Sequence, residues 1–378
     1  MSLSVTSVLT TCLLNSMLLI FICFLARRNK VIRKVGPGCM IIIMLLIVIR
    51  MFFPFEFWYT YNLRIQDTLH PFMRVLFFDV YSGKIEIEVV DILATIWIIG
   101  AVVSFIISII SYRRLQRYVS VLSKEKWEDV LKSYHLDTDD YKGIDKIKIA
   151  YSKQVKSPCI VGLCNPCLVL PKVHYSEEQF KYIMLHEIMH VRNKDIGWKI
   201  LIDLLCMAFW WNPLFRYLRK ELFQLIEMRN DMEIISELSE QEIIAYMEAL
   251  KDTAVQMKKR SVAYGVSFNQ SSNAALKRRL YLIKDKTHFY RIRQTLLSLV
   301  VLILLFLTSA VIIEPYSYER ADEGTSCTSE NTFLVINGDQ YDVYIEGTYA
   351  ITLDSTEGFE LGEVKIYNSL EEAQKENE

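Results

Sequence analysis

The sequence predicts a multi-span α-helical membrane protein with an α+β domain inserted between its third and fourth spans and a small β-rich tail. Three observations predict it. Four apolar runs are long enough to be membrane spans, residues 113–290 between the third and fourth are much more polar, and beyond residue 314 apolar and polar residues alternate. Of the 378 residues, 52% are hydrophobic, above the roughly 45–50% of soluble domains.

Residues 8–25 are apolar apart from small polar side chains, which sets a first span at about 5–26. The run is longer than a signal-peptide core, with no basic residues ahead of it and no small-residue cleavage pattern, so it is expected to be retained. A second span at 37–58 is broken by Arg50, Pro54 and Glu56. An ionisable residue in a span is costly, so Arg50 either makes a functional contact or, as favoured, snorkels to an interface. An aromatic-rich external loop, 59–87, leads to a third span at 88–112, whose one acid, Asp91, lies near its start. The fourth span, 291–314, is free of charge from 296 to 313. The expected domains are therefore 1–112, an inserted domain at 113–290, the span 291–314, and a tail at 315–378.

Within the inserted domain, Ile160-Val161 and Leu168-Val169-Leu170 read as strands around a turn. The Cys164-Asn165-Pro166-Cys167 turn has metal-like spacing, but no second pair follows, so a second metal site is not favoured. Ser176 with Gln179 forms a capping box that starts a helix at Ser176. Phe180, Ile183, Met184, Ile188 and Val191 then recur at helical spacing and bury one stripe. On a neighbouring face lies His186-Glu187-Ile188-Met189-His190. Positions i and i+4 share a face, so two imidazoles can grip one Zn²⁺ while Glu187 faces an activated water. The chemistry implied is hydrolysis.

A catalytic zinc needs a third protein ligand. Trp210-Trp211-Asn212-Pro213 break and restart the helix, and residues 215–237 then run without Gly or Pro, carrying Glu227 and Asp231 four apart. Glu227 is either the third ligand or a solvated helix carboxylate. Asp231 is a candidate to accept the second ring N–H of a ligand histidine, and Asp195 either does the same or caps the helix end. Residues 199–214, with Asp203 and two tryptophans, read as a helix in or dipping into the inner leaflet, against a simple buried core helix.

Basic residues set the orientation. Arg27, Arg28, Lys30, Arg33 and Lys34 follow the first span, Arg113, Arg114 and Arg117 follow the third, and 277–293 are rich in Lys and Arg. These sides are expected to be cytoplasmic. Residues 315–378 hold fifteen acids against three bases, so both termini are expected outside and the histidine motif inside. The net charge of −1 hides this polarity, and direct nucleic-acid binding is not expected. Cys327 is the one clearly external cysteine, which argues against a disulfide-stapled exterior within one chain.

The order of motifs resembles the BlaR/MecR antirepressor-type membrane zinc peptidase family. It comprises Ile96-Trp97-Ile98-Ile99-Gly100, Ser157-Pro158-Cys159-Ile160-Val161-Gly162 through Leu170-Pro171, the His186 to Asp195 stretch, Trp211-Asn212-Pro213-Leu214, Glu227 with Asp231, and Leu276-Lys277-Arg278-Arg279. The resemblance covers most of residues 90–310 and implies a zincin-type (gluzincin) peptidase domain. It implies Glu227 as the third ligand beside His186 and His190, Asp195 and Asp231 as groups behind them, and Glu187 as the catalytic base. It also implies a sheet edge at Pro158–Ile160 that receives substrate, where the residues alone favour an ordinary buried hairpin. The implied role is sensor-transducer in the bacterial cell membrane, cleaving a cytoplasmic transcriptional repressor after an external antibiotic or envelope-stress signal. Membrane lipid and that repressor are the expected partners, with a homodimer as a further possibility. Arg278-Arg279, or Lys258-Lys259-Arg260, is a candidate autocleavage point, weighed against lipid-binding charge.

The tail departs from the family's beta-lactam sensors. Residues 315–378 contain neither Ser-x-x-Lys nor Lys-Thr-Gly, so acylation by a beta-lactam is not expected there. Instead, strand-like runs flank Asn337-Gly338, a strong hairpin signal. Two other functions remain open at this point: a constitutive quality-control protease, and a non-catalytic membrane receptor.

Overall fold

In the computed structural model of the protein the described residues are 5–54, 59–64, 79–81, 87–136, 147–155, 157–163, 165–263, 270–284, 291–314, 332–338, 340–345, 347–353, 365–370 and 372–373. In chain order the elements begin with α1 (Val5–Ala26), α2 (Asn29–Val35), α3 (Pro37–Phe52), β1 (Tyr61–Arg64), β2 (Asp79–Tyr81), β3 (Ile87–Glu88) and α4 (Val89–Val121). Next come β4 (Lys124–Lys126), α5 (Trp127–Ser133), β5 (Lys148–Ser152), β6 (Cys159–Val161), β7 (Cys167–Pro171), α6 (Glu177–Arg192), α7 (Asp195–Ala208) and α8 (Pro213–Glu237). The chain ends with α9 (Glu240–Ala263), α10 (Gln270–Lys284), α11 (Arg291–Ala310), β8 (Val311–Glu314), β9 (Thr332–Asn337), β10 (Gln340–Ile345), β11 (Thr348–Leu353) and β12 (Lys365–Tyr367). Two compact units result, Met1–Tyr61 with Leu76–Ile312, and Asn62–Val75 with Ile313–Glu378.

Among the described residues two helices, Ser7–Ala26 of α1 and α4, are long and apolar enough to cross a membrane. A third span is reached if α2 and α3 count as one, bent by 95°. The bend sits at Gly36, whose φ of 91 suits glycine, and Pro37 opens α3. The run expected at 37–58 is helical over Pro37–Phe52, and 55–58 lie outside the described residues. Arg50 at its end donates to the Phe53 carbonyl, a local contact. Helix α4 passes the expected end at 112 and continues through Arg113, Arg114 and Arg117 to Val121, because no Gly or Pro stops it. The last apolar helix is shorter, Gln294–Ala310, since the β-branched Val311-Ile312-Ile313 run enters β8.

The largest core joins α3 to α8. Met40, Ile43, Met44 and Ile47 of α3 and Leu218, Leu222, Leu225 and Ile226 of α8 are all buried in it. Close packing of these side chains holds α8, the carrier of Glu227, against α3. At one end of the seam Phe209 meets Phe52 edge-on at 5.0 Å and stacks on Phe215 at 4.4 Å. There the turn between α7 and α8 docks on α4: the Trp97 indole donates to the Ala208 carbonyl at 2.5 Å and the Trp210 indole to the Trp97 carbonyl at 3.1 Å. Gly100 permits this, because a Cβ there would lie 2.2 Å from the Trp210 ring. At the other end Arg27 and Arg278 both grip the buried Glu221, at 3.1 and 3.2 Å.

Helix α7 is not a buried core helix. Ile202 is buried, but Trp198, Leu201 and Leu204 are exposed, as are Trp210 and Trp211 in the turn that follows. The helix expected over 199–214 ends at Ala208.

A four-stranded sheet, ordered β4-β5-β7-β6, supports α6. Strands β5 and β7 are parallel, and β4 and β6 run antiparallel to their neighbours. Period-two alternation divides the sheet's faces: Ile149, Leu168 and Leu170 pack with α5 and α6, whereas Ala150, Cys167 and Val169 pack with Val119 of α4. Thus β6 and β7 form the expected hairpin, with Gly162 at a φ of 107 in its turn. Cys164 lies outside the described residues, and Cys167 is a buried strand residue.

In the second unit β9 and β10 pair across Asn337-Gly338, as the turn signal requires. The full order is β11-β10-β9-β12, with β12 parallel to β9.

Candidate metal centre

Ser176 caps α6 through both halves of the capping box: its hydroxyl accepts from the Gln179 amide at 3.2 Å. Phe180, Ile183, Met184 and Ile188 anchor the helix on the sheet. This leaves His186 and His190 facing α8, both buried. Glu227 meets them there. The His186 Nε2 lies 3.1 Å from Glu227 Oε2, and His190 Nε2 lies 3.5 Å from Oε1. One ligand atom from each of the three residues falls within 4.8 Å of the others.

Each imidazole is held from behind. His190 Nδ1 lies 2.6 Å from Asp195 Oδ2, at the first residue of α7. Asn230 and Arg229 also donate to that aspartate. The Asp231 expectation needs correction in its detail, because a hydroxyl intervenes. His186 Nδ1 lies 3.0 Å from the Tyr246 hydroxyl, which donates to Asp231 Oδ1 at 2.6 Å, while Nδ1 to Asp231 itself is 3.5 Å. Arg279 of α10 then clamps Asp231 with two bonds, at 2.6 and 2.7 Å. A histidine, an aspartate and an arginine thus recur twice, and each arginine offsets the cost of burying an aspartate.

Arg278 and Arg279, the candidate autocleavage point, both have side-chain partners in the fold. Both residues lie inside α10, Arg278 bound to Glu221, Gln224 and the Ala26 carbonyl and Arg279 bound to Asp231. A peptidase cuts extended chain, and this bond is helical with both guanidiniums engaged. Lys258-Lys259-Arg260 fall in α9, with side chains outside the described residues.

Electrostatics favour a cation between the donors. Burial disfavours the His190 imidazolium, but hydrogen bonds to Asp195 and Glu227 outweigh it and push the pKa up to about 10. Burial likewise opposes ionisation of Glu227, yet the two histidines and Arg279 hold its pKa well below the ordinary range. For Asp195, bonds from His190 and Asn230 overcome burial and lower the pKa. A tetrahedral zinc with bonds of ~2.1 Å places its ligand atoms roughly 3.4 Å apart, and one donor atom from each of the three residues already lies within 4.8 Å of the others. Two imidazoles, one carboxylate and fixed ring tautomers fit such an ion.

Glu187 lines the same cavity, of about 450 Å³, as the three donors. Pro158, Cys159 and Ile160 form one wall, and Tyr246, Leu276 and Arg279 belong to another. Strand β6 is a sheet edge, so one side of the wall has no strand partner among the described residues. Lys199 of α7 also lines the cavity, 3.4 Å from Glu227 Oε1.

Sequence reasoning missed Tyr246, Asn230, Arg229 and Lys199, and it noticed Arg279 for another reason. Asn230 shared a face with Glu227 at i+3 and was legible on that ground. Tyr246 carried no local signal.

The regulatory protein BlaR1 of Bacillus licheniformis is 27% identical over 191 residues, 50% of this chain and 32% of its own. The methicillin resistance mecR1 protein of Staphylococcus aureus (strain Mu50 / ATCC 700699) is 27% identical over 159 residues, 41% of this chain and 27% of its own. Staphylococcus aureus BlaR1 is 23% identical over 215 residues, 53% and 35% respectively. The chain therefore spans about a third of these relatives or less. The sequence profile of the BlaR1 peptidase M56 family matches residues 7–283, a stretch that runs from the first span through Arg279. With the histidine pair, Glu227 and the residues that hold them all inside that match, the chain belongs to the BlaR1 peptidase M56 family of metallopeptidases.

Proposed function

We propose that this chain is a membrane-embedded zinc endopeptidase acting as a sensor-transducer, which cleaves a cytoplasmic transcriptional repressor when an external antibiotic or envelope-stress signal arrives. One observation carries the peptidase part: His186, His190, Glu227, Glu187 and residues Cys159 and Ile160 of the edge strand β6 line one cavity. The transducer part rests on family membership and on relatives named for regulation and methicillin resistance. The basic residues after α1 and in α4 support a cytoplasmic site with both termini outside. Exposed tryptophans on α7 and in the following turn support burial of that face in lipid.

Held by His186, His190 and Glu227, a Zn²⁺ would supply Lewis acidity and an activated water. An extended substrate adds to the edge of β6, where main-chain hydrogen bonds align its scissile bond with the cavity. Glu187 takes the water's proton as the oxygen adds to the carbonyl carbon, and returns it to the amine as the C–N bond breaks. Asp195 and Tyr246 keep both imidazoles in the tautomer that leaves Nε2 free for the ion.

The test uses the full chain in detergent, prepared from cells challenged with a cell-wall antibiotic and from unchallenged cells, with a candidate repressor encoded beside it. Wild type should hold one zinc and, from challenged cells, cleave the repressor; Glu187→Gln should hold the same zinc and cleave nothing. Equal cleavage by both would remove this reading, and so would a chain that binds no zinc.

A further inference from the structure

Arg279 does more than neutralise Asp231. Its Nε and Nη2 make the two bonds to that carboxylate, while Nη1 ion-pairs with Glu227 Oε2 at 3.7 Å, beyond hydrogen-bond length. Nη2 also lies 3.5 Å from His186 Nε2, so the guanidinium sits beside the point where the three metal donors converge. The contrast with Arg229 is informative. Both arginines serve an aspartate behind a histidine, but only Arg279 lines the cavity that Glu187 also lines.

We infer that Arg279 is a catalytic residue whose Nη1 donates to the carbonyl oxygen of the scissile peptide as negative charge builds on it. This rests on the peptidase reading above. As the water oxygen bonds to the carbonyl carbon, the π pair moves onto the carbonyl oxygen and the water's proton passes to Glu187. Arg279 stabilises that charged oxygen. The pair then re-forms the C=O, the C–N bond breaks, and the departing nitrogen takes the proton from Glu187.

A donor is effective here only if it is aimed before the charge appears. The Asp231 fork supplies that aim, because a bidentate carboxylate fixes the plane of a guanidinium. Among the described residues Lys199 is the other Lys or Arg lining the cavity, but its side chain is 35% exposed and carries its charge on a flexible stem. Arg279, 16% exposed, is the better prepared of the two.

The test compares zinc-loaded wild type with Arg279→Ala, Arg279→Lys and Lys199→Ala, full length in detergent. Zinc content, kcat and KM on the repressor, and affinity for a phosphinic peptide that mimics the tetrahedral state are read on the same samples. Arg279→Ala should lower kcat about 10²–10³-fold with KM little changed. It should weaken phosphinic-peptide binding at equal zinc content, and added guanidinium should restore part of the rate. Arg279→Lys, which keeps the charge but loses the fork, covers the case in which the alanine variant misfolds; its kcat should also fall with zinc retained. If rate and phosphinic binding fall only in proportion to lost zinc, or if Lys199→Ala alone shows the kcat loss, the inference is overturned. Wild type that holds zinc but cleaves nothing in a Glu187-dependent way instead removes the peptidase reading itself.

Discussion

Replacing Tyr246 by phenylalanine removes one oxygen atom and tests how the metal centre is held. The residue is fully buried, its hydroxyl accepts from His186 Nδ1 at 3.0 Å, and it donates to Asp231 at 2.6 Å. Phenylalanine keeps the ring, so no large cavity opens, and Asp231 keeps both bonds from Arg279. What is lost is the partner of the imidazole N–H. Leaving a buried donor unpaired costs about 1–3 kcal/mol. Loss of such a group behind a metal-bound histidine typically weakens the metal about 10–100-fold. At about 1.36 kcal/mol per decade the two ranges coincide. Asp231 Oδ1 already lies 3.5 Å from Nδ1, and a small shift would recover part of the bond, so the expected loss is nearer tenfold. Competition with a chromophoric chelator measures the zinc affinity directly, and thermal unfolding of the metal-free protein checks that the fold is intact. Zinc affinity within twofold of wild type, in a folded variant, would refute the proposed role of this hydroxyl.

Two further outcomes follow from the geometry. His190 in the metal-free protein has its pKa raised to about 10 from 6.5, so its imidazolium stabilises the fold fully below pH 6.5 and loses that contribution as pH rises through about 10. Zinc must displace that proton, so affinity should rise up to tenfold per pH unit below about 10, with about one proton released per zinc at pH 7.5; calorimetry in buffers of different ionisation enthalpy counts it, and zero release would contradict the assignment. At the docking point of the turn after α7, Gly100→Ala puts a Cβ 2.2 Å from the Trp210 ring, backbone-anchored on one side and hydrogen-bonded to Trp97 on the other. An overpacking cost of about 1–3 kcal/mol is expected, read as a lowered unfolding midpoint, and an unchanged midpoint would show that Trp210 moves freely.

What could be read without the structure was local. The capping box at Ser176, the i and i+4 histidines on one helix, the break at Asn212-Pro213 and the Asn337-Gly338 hairpin each depend on residues a few positions apart, and each element forms there. Less local features shifted. The third expected span belongs to a helix that runs on to Val121, since nothing in the basic stretch after it stops a helix, and the fourth gives way to a strand where the β-branched run begins at Val311.

The sequence by itself determined that one helix offers two imidazoles and a glutamate, and that apolar runs surround it. Tertiary structure decided what stands behind those imidazoles: Tyr246 is 60 positions from His186 and Arg279 is 93, each on a different helix from the histidines. Helical periodicity fixes neighbours within a turn or two, whereas the partner of a buried ring nitrogen is fixed by which helices pack together. Here that choice belongs to the apolar seam between α3 and α8, which sets where Glu227 lies and therefore which side chains can reach the histidines.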